Sequence, residues 1–107
     1  MFLHEDEKGY LQVLDGIKRK TLAFGEKTLM TKFLLDKGAN LPLHGHPQEQ
    51  TGFLVSGHIR LTIGNETHDI YQGDSWSIPA DVMHGAAIVE DSAALEVFSP
   101  VREDYLP

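Results

Sequence analysis

Apolar and polar positions alternate along most of the chain with a period of two. Leu29, Thr31, Phe33 and Leu35 fall on one parity within residues 27–36. Ile59, Leu61 and Ile63 alternate with His58, Arg60 and Thr62. Successive side chains of an extended strand point to opposite faces, so each run reads as a half-buried strand. No window keeps apolar residues at helical spacing over three turns, and no amphipathic helix is predicted. Turn-forming residues recur about every ten positions, at Gly25, Gly38, Gly45, Gly57, Gly64, Gly73 and Pro79. Between Ile63 and Glu66, Gly64-Asn65 suits a two-residue type II′ hairpin, because glycine opens it. About nine or ten short strands at this spacing use up the chain, which predicts an all-β sandwich or barrel.

Composition narrows the class. At 107 residues a second domain would have no core of its own, so one domain over residues 1–107 is expected. The net charge of −7 weighs against a nucleic acid or an anionic membrane as partner, since phosphate binding needs a basic face. The chain has no cysteine, which removes disulfides, thiolate metal sites and cysteine nucleophiles together and fits a reducing compartment. The opening MFLHEDEKGY has neither a basic segment nor an apolar one of the signal-peptide kind. Apolar runs reach only three or four residues, against the ~20 that a membrane span needs. A cytoplasmic protein is expected. The basic trio Lys18-Arg19-Lys20 reads as a solvated strand face.

Two clusters hold the candidate chemistry. The first runs from Gly38 through His44, His46, Glu49 and Gln50 to Gly57. His44 and His46 are two apart, so in a strand both rings share a face and can share one cation. Gln50 has their parity and Glu49 the opposite one. If the segment stays extended past Pro47, the amide joins the histidines and the carboxylate points away. The same pair also fits two surface histidines near a turn. In the second cluster, Gly73-Asp74 makes a turn, Trp76 and Ile78 alternate inward, Pro79 ends the strand, and His84 opens the next. A core histidine with a hydrogen-bonded ring is the other reading of His84.

Together the clusters resemble the two motifs of the cupin superfamily. The first motif matches at Gly38, His44, His46, Gln50 and Gly57, over residues 38–57. The second matches at Gly73, Pro79 and His84, over residues 73–88, with Asp81 in place of the usual Gly and Ile88 in place of the usual Asn. The resemblance implies a small antiparallel jelly-roll barrel with a metal at one end. The implied ligands are His44, His46, Gln50 and His84, all neutral, so the cation's charge would attract anionic substrate oxygens. One divalent transition metal is implied, with Zn, Ni, Co, Mn and Fe all compatible with imidazole ligation. His4, His58 and His68 are weaker candidates.

The tail, residues 93–107, contains Glu96, Phe98, Pro100 and Arg102. Glu96 and Phe98 share one strand face, and Pro100 ends the strand so that Arg102 can curl back over the barrel mouth. This ending, and the opening Asp15-Gly16-Ile17-Lys18-Arg19-Lys20, resemble the KdgF-type cupins, which linearise uronates in pectin and alginate breakdown. The group's functional pair, an acid and an arginine six residues later, falls on Glu96 and Arg102. The group's acid is normally Asp, and Glu is one methylene longer. The resemblance implies ring opening and tautomerisation of a 4,5-unsaturated uronate, a small anionic sugar, by a homodimer. Two alternatives stay open. One is a non-catalytic cupin that binds a sugar or other small molecule. The other is a metal-dependent oxygenase-type cupin, which Glu49 as a ligand would favour. For Glu96 and Arg102 the simpler alternative is an ion pair at the rim.

Overall fold

β-branched and large apolar residues at alternate positions make every regular segment a strand, except one 3-10 turn at Glu103–Tyr105. A computed structural model describes residues 1–107. Its strands are β1 (Leu11–Leu14), β2 (Ile17–Phe24), β3 (Leu29–Leu35), β4 (Asn40–His44), β5 (Glu49–Ile63), β6 (Glu66–Tyr71), β7 (Ser75–Ile78) and β8 (His84–Ser99). All pairings are antiparallel. The first half of β5 and the second half of β8 lie in one sheet, ordered β1-β2-β3-β8-β5-β7. Their other halves lie in a second sheet, ordered β4-β8-β5-β6. Leu35, Leu54 and Ala94 from the first sheet pack against Ile59, Leu61, Ile70 and Ile88 from the second to form the core. The ladder does not close on itself, so the jelly roll is an open sandwich rather than a closed barrel. No helix is long and apolar enough to cross a membrane.

Eight strands stand where about nine or ten were expected. The difference lies mainly at Gly57, which reads as a turn and is a bulge inside the 15-residue β5. Its φ is +99°, and a Cβ there would meet Ser92 Oγ at 2.1 Å. The Ser92 hydroxyl closes the bulge, accepting from the His58 N–H at 3.0 Å and donating to the Glu90 carbonyl at 2.7 Å. This kink turns β5 from one sheet into the other. The predicted Gly64-Asn65 hairpin is present, with Ile63 opposite Glu66 and Gly64 at φ +60°. Asn65 has no positive φ, which is the type II′ pattern.

The basic trio is not one solvated face. Only Lys18 is exposed. Arg19 has the parity of the core residue Ile17 and turns inward. Lys20 is 8% exposed because residues 5–10 cross the outer face of β2 over it. Its Nζ donates to Asp6 Oδ1 at 2.9 Å, and this bond holds the Asp6 carboxyl below its usual range. Residues 5–10 are held there.

Candidate metal centre

His44 ends β4 and His84 opens β8, and the two are paired across the ladder. Cross-strand partners share a face, so their rings meet with centroids 4.2 Å apart. His46 lies beyond the end of β4, in the loop that leads to β5, and its ring is 4.9 Å from that of His84. That loop is held by the turn after β7. The Asp81 N–H donates to the His46 carbonyl at 2.9 Å, and a Cβ on Gly45 would meet Met83 Sδ at 3.2 Å. Asp81 takes a φ of +65°, the left-handed region that a glycine adopts freely. This accounts for glycine being usual at that motif position.

Each ring nitrogen Nδ1 faces a backbone carbonyl: Pro42 at 2.9 Å for His44, Gln48 at 3.0 Å for His46, and Val82 at 2.9 Å for His84. A carbonyl only accepts, so Nδ1 carries the proton and a neutral ring leaves Nε2 with a free lone pair. Ligand nitrogens from the three rings come within 4.8 Å of one another. Burial, followed by the charge of Arg102, holds the His46 pKa below the usual histidine value. Burial also lowers that of His84. Both shifts favour the neutral ring that a metal requires.

Gln50, buried on β5, joins the group, although residues 45–48 leave the strand and the extended passage through Pro47 that parity assumed is absent. Its Oε1 lies 2.8 Å from His46 Nε2, and its Nε2 donates to Glu96 Oε2 at 2.8 Å. With the His46 proton on Nδ1, two acceptor atoms face each other across 2.8 Å. A cation beside them would satisfy both, so this donor set fits a metal. The three histidines can hold one. Glu49 is exposed and points away.

Glu96 is on β8, 8% exposed and on the cavity face with Phe98. Burial pushes its pKa up to about 8, against the Gln50 bond and the nearby Trp76 indole N–H, both of which favour the carboxylate. Trp76 Nε1 is buried without a partner in hydrogen-bond geometry. Gly52 makes this arrangement possible. It pairs with Glu96 on one side and Trp76 on the other, and a Cβ on it would meet the indole at 2.2 Å. The sequence signal was a glycine in a strand interior, which marks close approach.

Arg102 reaches the rim but does not pair with Glu96. Its Nη2 donates to Asp104 Oδ2 at 2.8 Å, its Nε to Asp104 Oδ1 at 3.2 Å, and its Nη1 to the Tyr105 hydroxyl at 3.0 Å. Slight burial pulls the Asp104 carboxyl up, yet the Arg102 bonds and charge bring it below its usual value. These groups border a cavity of about 380 Å³ with a floor of Ile17, Phe33, Leu35, Ile59 and Ile88. That volume suits a small organic ligand. The remaining histidines stay outside. His58 is bound to Asp69 at 2.9 Å and stacks on Tyr71, His68 is exposed on β6, and His4 is in the exposed terminus.

Comparison with known proteins agrees with this architecture. The chain is 30% identical over 104 residues to the pectin degradation protein KdgF of Dickeya dadantii (strain 3937), covering 95% of this chain and 94% of that protein. Among solved structures, KdgF from a Halomonas species is similar with a TM-score of 0.93 and 31% identity, covering 99% of this chain and 98% of that one. An RmlC-like cupin from Shewanella frigidimarina NCIMB 400 is similar with a TM-score of 0.92 and 28% identity, covering 98% and 95%. The cupin-domain family model matches residues 31–100, which include all three histidines, Gln50 and Glu96. The chain belongs to the cupin family.

Proposed function

We propose that the protein is a metal-dependent cupin that linearises 4,5-unsaturated uronates. The observation that supports this most is the convergence of His44, His46, His84, Gln50 and Glu96 on one cavity, in a chain similar over nearly its whole length to a pectin degradation protein. We assign His44, His46, Gln50 and His84 as metal ligands, and Glu96 and Arg102 as the groups that act on substrate. A bound divalent cation, Zn, Ni, Co, Mn or Fe, would supply Lewis acidity toward substrate oxygen.

The reaction is an isomerisation. A proton leaves the anomeric hydroxyl, the C1–ring-oxygen bond breaks, and the freed enolate at C5 takes a proton at C4. The net product is a linear keto sugar acid with no atom gained or lost. Glu96, held protonated by burial, delivers its proton at C4 and is recharged by the proton that leaves O1, a role typically worth ~10²–10⁴ in rate. Its raised pKa suits proton transfer near neutrality. Arg102 stands at the rim with its charge met by Asp104, and its remaining N–H groups are the ones that can reach substrate. Phe33, Ile59 and Ile88 keep the cavity floor apolar and exclude water from the enolate. The oxygenase-type alternative loses its candidate carboxylate ligand, because Glu49 faces solvent. A homodimer in the cytoplasm completes the reading.

The test is turnover of the 4,5-unsaturated uronate monomer, followed by loss of its conjugated ultraviolet absorbance. Metal-loaded protein should convert it, and chelated protein should not. Glu96→Gln should keep metal binding and lose at least about tenfold in rate. Glu96→Asp should keep or raise activity. No turnover with any of the five metals would sink the proposal and leave a sugar-binding cupin.

A further inference from the structure

The cavity contains one cation that the reading above leaves unused. Arg19 is on β2, shares a face with Ile17, and lines the cavity that the histidines line. Its guanidinium carbon is 3.7 Å from the centre of the Tyr105 ring, and that of Arg102 is 4.0 Å from the same centre. Both guanidinium groups therefore lie against the Tyr105 ring. Tyr105 is itself fixed. Its carbonyl accepts from the Thr21 hydroxyl, one face-step along β2 from Arg19, and its ring packs edge-on against Phe98 at 5.3 Å.

The two arginines differ in what they have left to offer. The chain's ion pairs engage Lys20, Lys32, His58, Arg60 and Arg102, and Arg19 enters none. Nor does Arg19 make any side-chain hydrogen bond. Arg102, by contrast, has turned the fork of Nε and Nη2 onto Asp104. A guanidinium has five donors in a planar fork that matches a carboxylate with two parallel bonds. Stacking on Tyr105 orients that plane in advance, so little rotamer freedom is lost when an anion arrives.

We propose that Arg19 is the carboxylate-binding group of the cavity, the residue that selects an acidic sugar over a neutral one. Arg102, tied to Asp104, backs the Tyr105 platform on which Arg19 rests. The proposal depends on the reading of the substrate as a uronate, and its test needs no turnover. Galacturonate and its uncharged methyl ester serve as probes, with affinities measured by calorimetry on the metal-loaded parent and on Arg19→Gln. The parent should bind the acid at least about tenfold more tightly than the ester, the size expected of a charge-assisted bidentate contact. Arg19→Gln should lose most of that preference and keep its affinity for the ester. Arg19→Lys, which retains the charge without the fork, should fall between them and serves if Arg19→Gln does not fold. A parent without preference, or an Arg19→Gln or Arg19→Lys variant with the parent's preference, would overturn the assignment. Failure of uronate turnover alongside an intact, Arg19-dependent preference would refute the catalytic reading alone.

Discussion

Gly52→Ala tests the site through its tightest contact. The added Cβ would lie 2.2 Å from both Cε2 and Nε1 of Trp76, whereas ordinary carbon contacts are about 3.5–4.0 Å. The obstacle is a rigid ring rather than a flexible chain end, so the indole must withdraw by more than about an ångström or β5 must bow. Overpacking of this kind costs about 1–3 kcal/mol. For a domain of this size each kcal/mol lowers Tm by roughly 4–8 °C, so a fall of about 4–24 °C is expected by thermal denaturation. The chain has a single tryptophan, so fluorescence reports on that ring alone. Emission should shift to the red as the indole leaves its half-buried place beside Glu96. A second change, Trp76→Leu, should recover part of the lost stability in the Gly52→Ala background, because it removes the obstacle. A Gly52→Ala protein with the parent's Tm and emission would refute the claim that this glycine makes room for the indole.

Three further outcomes follow from the geometry. The folded-state pKa of Glu96 is about 8 against an ordinary 4.5, so between those values the folded protein keeps a proton that the unfolded chain has released. Stability of the metal-free protein should therefore fall as pH rises through that window, by up to about 5 kcal/mol from this group. Denaturant melts of parent and Glu96→Gln should diverge across the window, and parallel curves would contradict the burial argument. His44→Ala should abolish metal uptake in a calorimetric titration while far-ultraviolet circular dichroism stays that of the folded parent, because the ring lies at the cavity wall rather than in the core. At Asp81, the glycine variant should exceed the alanine variant in stability by about 1 kcal/mol, since only glycine adopts the left-handed φ without strain.

The histidine site was legible because its signal is local. Spacing picked out His44, His46 and Gln50, but residues 45–48 form a loop rather than a strand, so that loop brings them together, while the turn chemistry of residues 73–79 delivered His84 to the head of a strand. Strand faces such as Leu29, Thr31 and Leu35 were legible for the same reason. Gly57 misled because a bulge and a turn both need a positive φ, and only the partner strand distinguishes them. Gly52 left no mark on the alternation, since its meaning lies in the ring stacked across it. The inward turn of Arg19 was readable from its parity with Ile17, but the basic residues on either side suggested a single charged face. Lys20 could not have been placed from β2 alone, as its cover comes from residues 5–10. The engagement of Arg102 by Asp104 is a contact at a separation of two, but the sequence offers Glu96 and Glu103 as rival acids and does not choose among them.

The division of β5 and β8 between two sheets has a thermodynamic consequence. His44 and His84 stand on the second sheet, while Gln50 stands on the first. Any ligand gripped by all of them must hold the sheets at one mutual angle, so its binding equilibrium is linked to the docking of the sandwich itself. At a concentration about a hundredfold above its dissociation constant, such a ligand adds about 2.7 kcal/mol to the folded state. The gain is spread along both shared strands and reaches the seam at Gly57, which touches no donor. Occupancy at one end of the jelly roll and slow amide exchange at the other are then two readings of a single equilibrium.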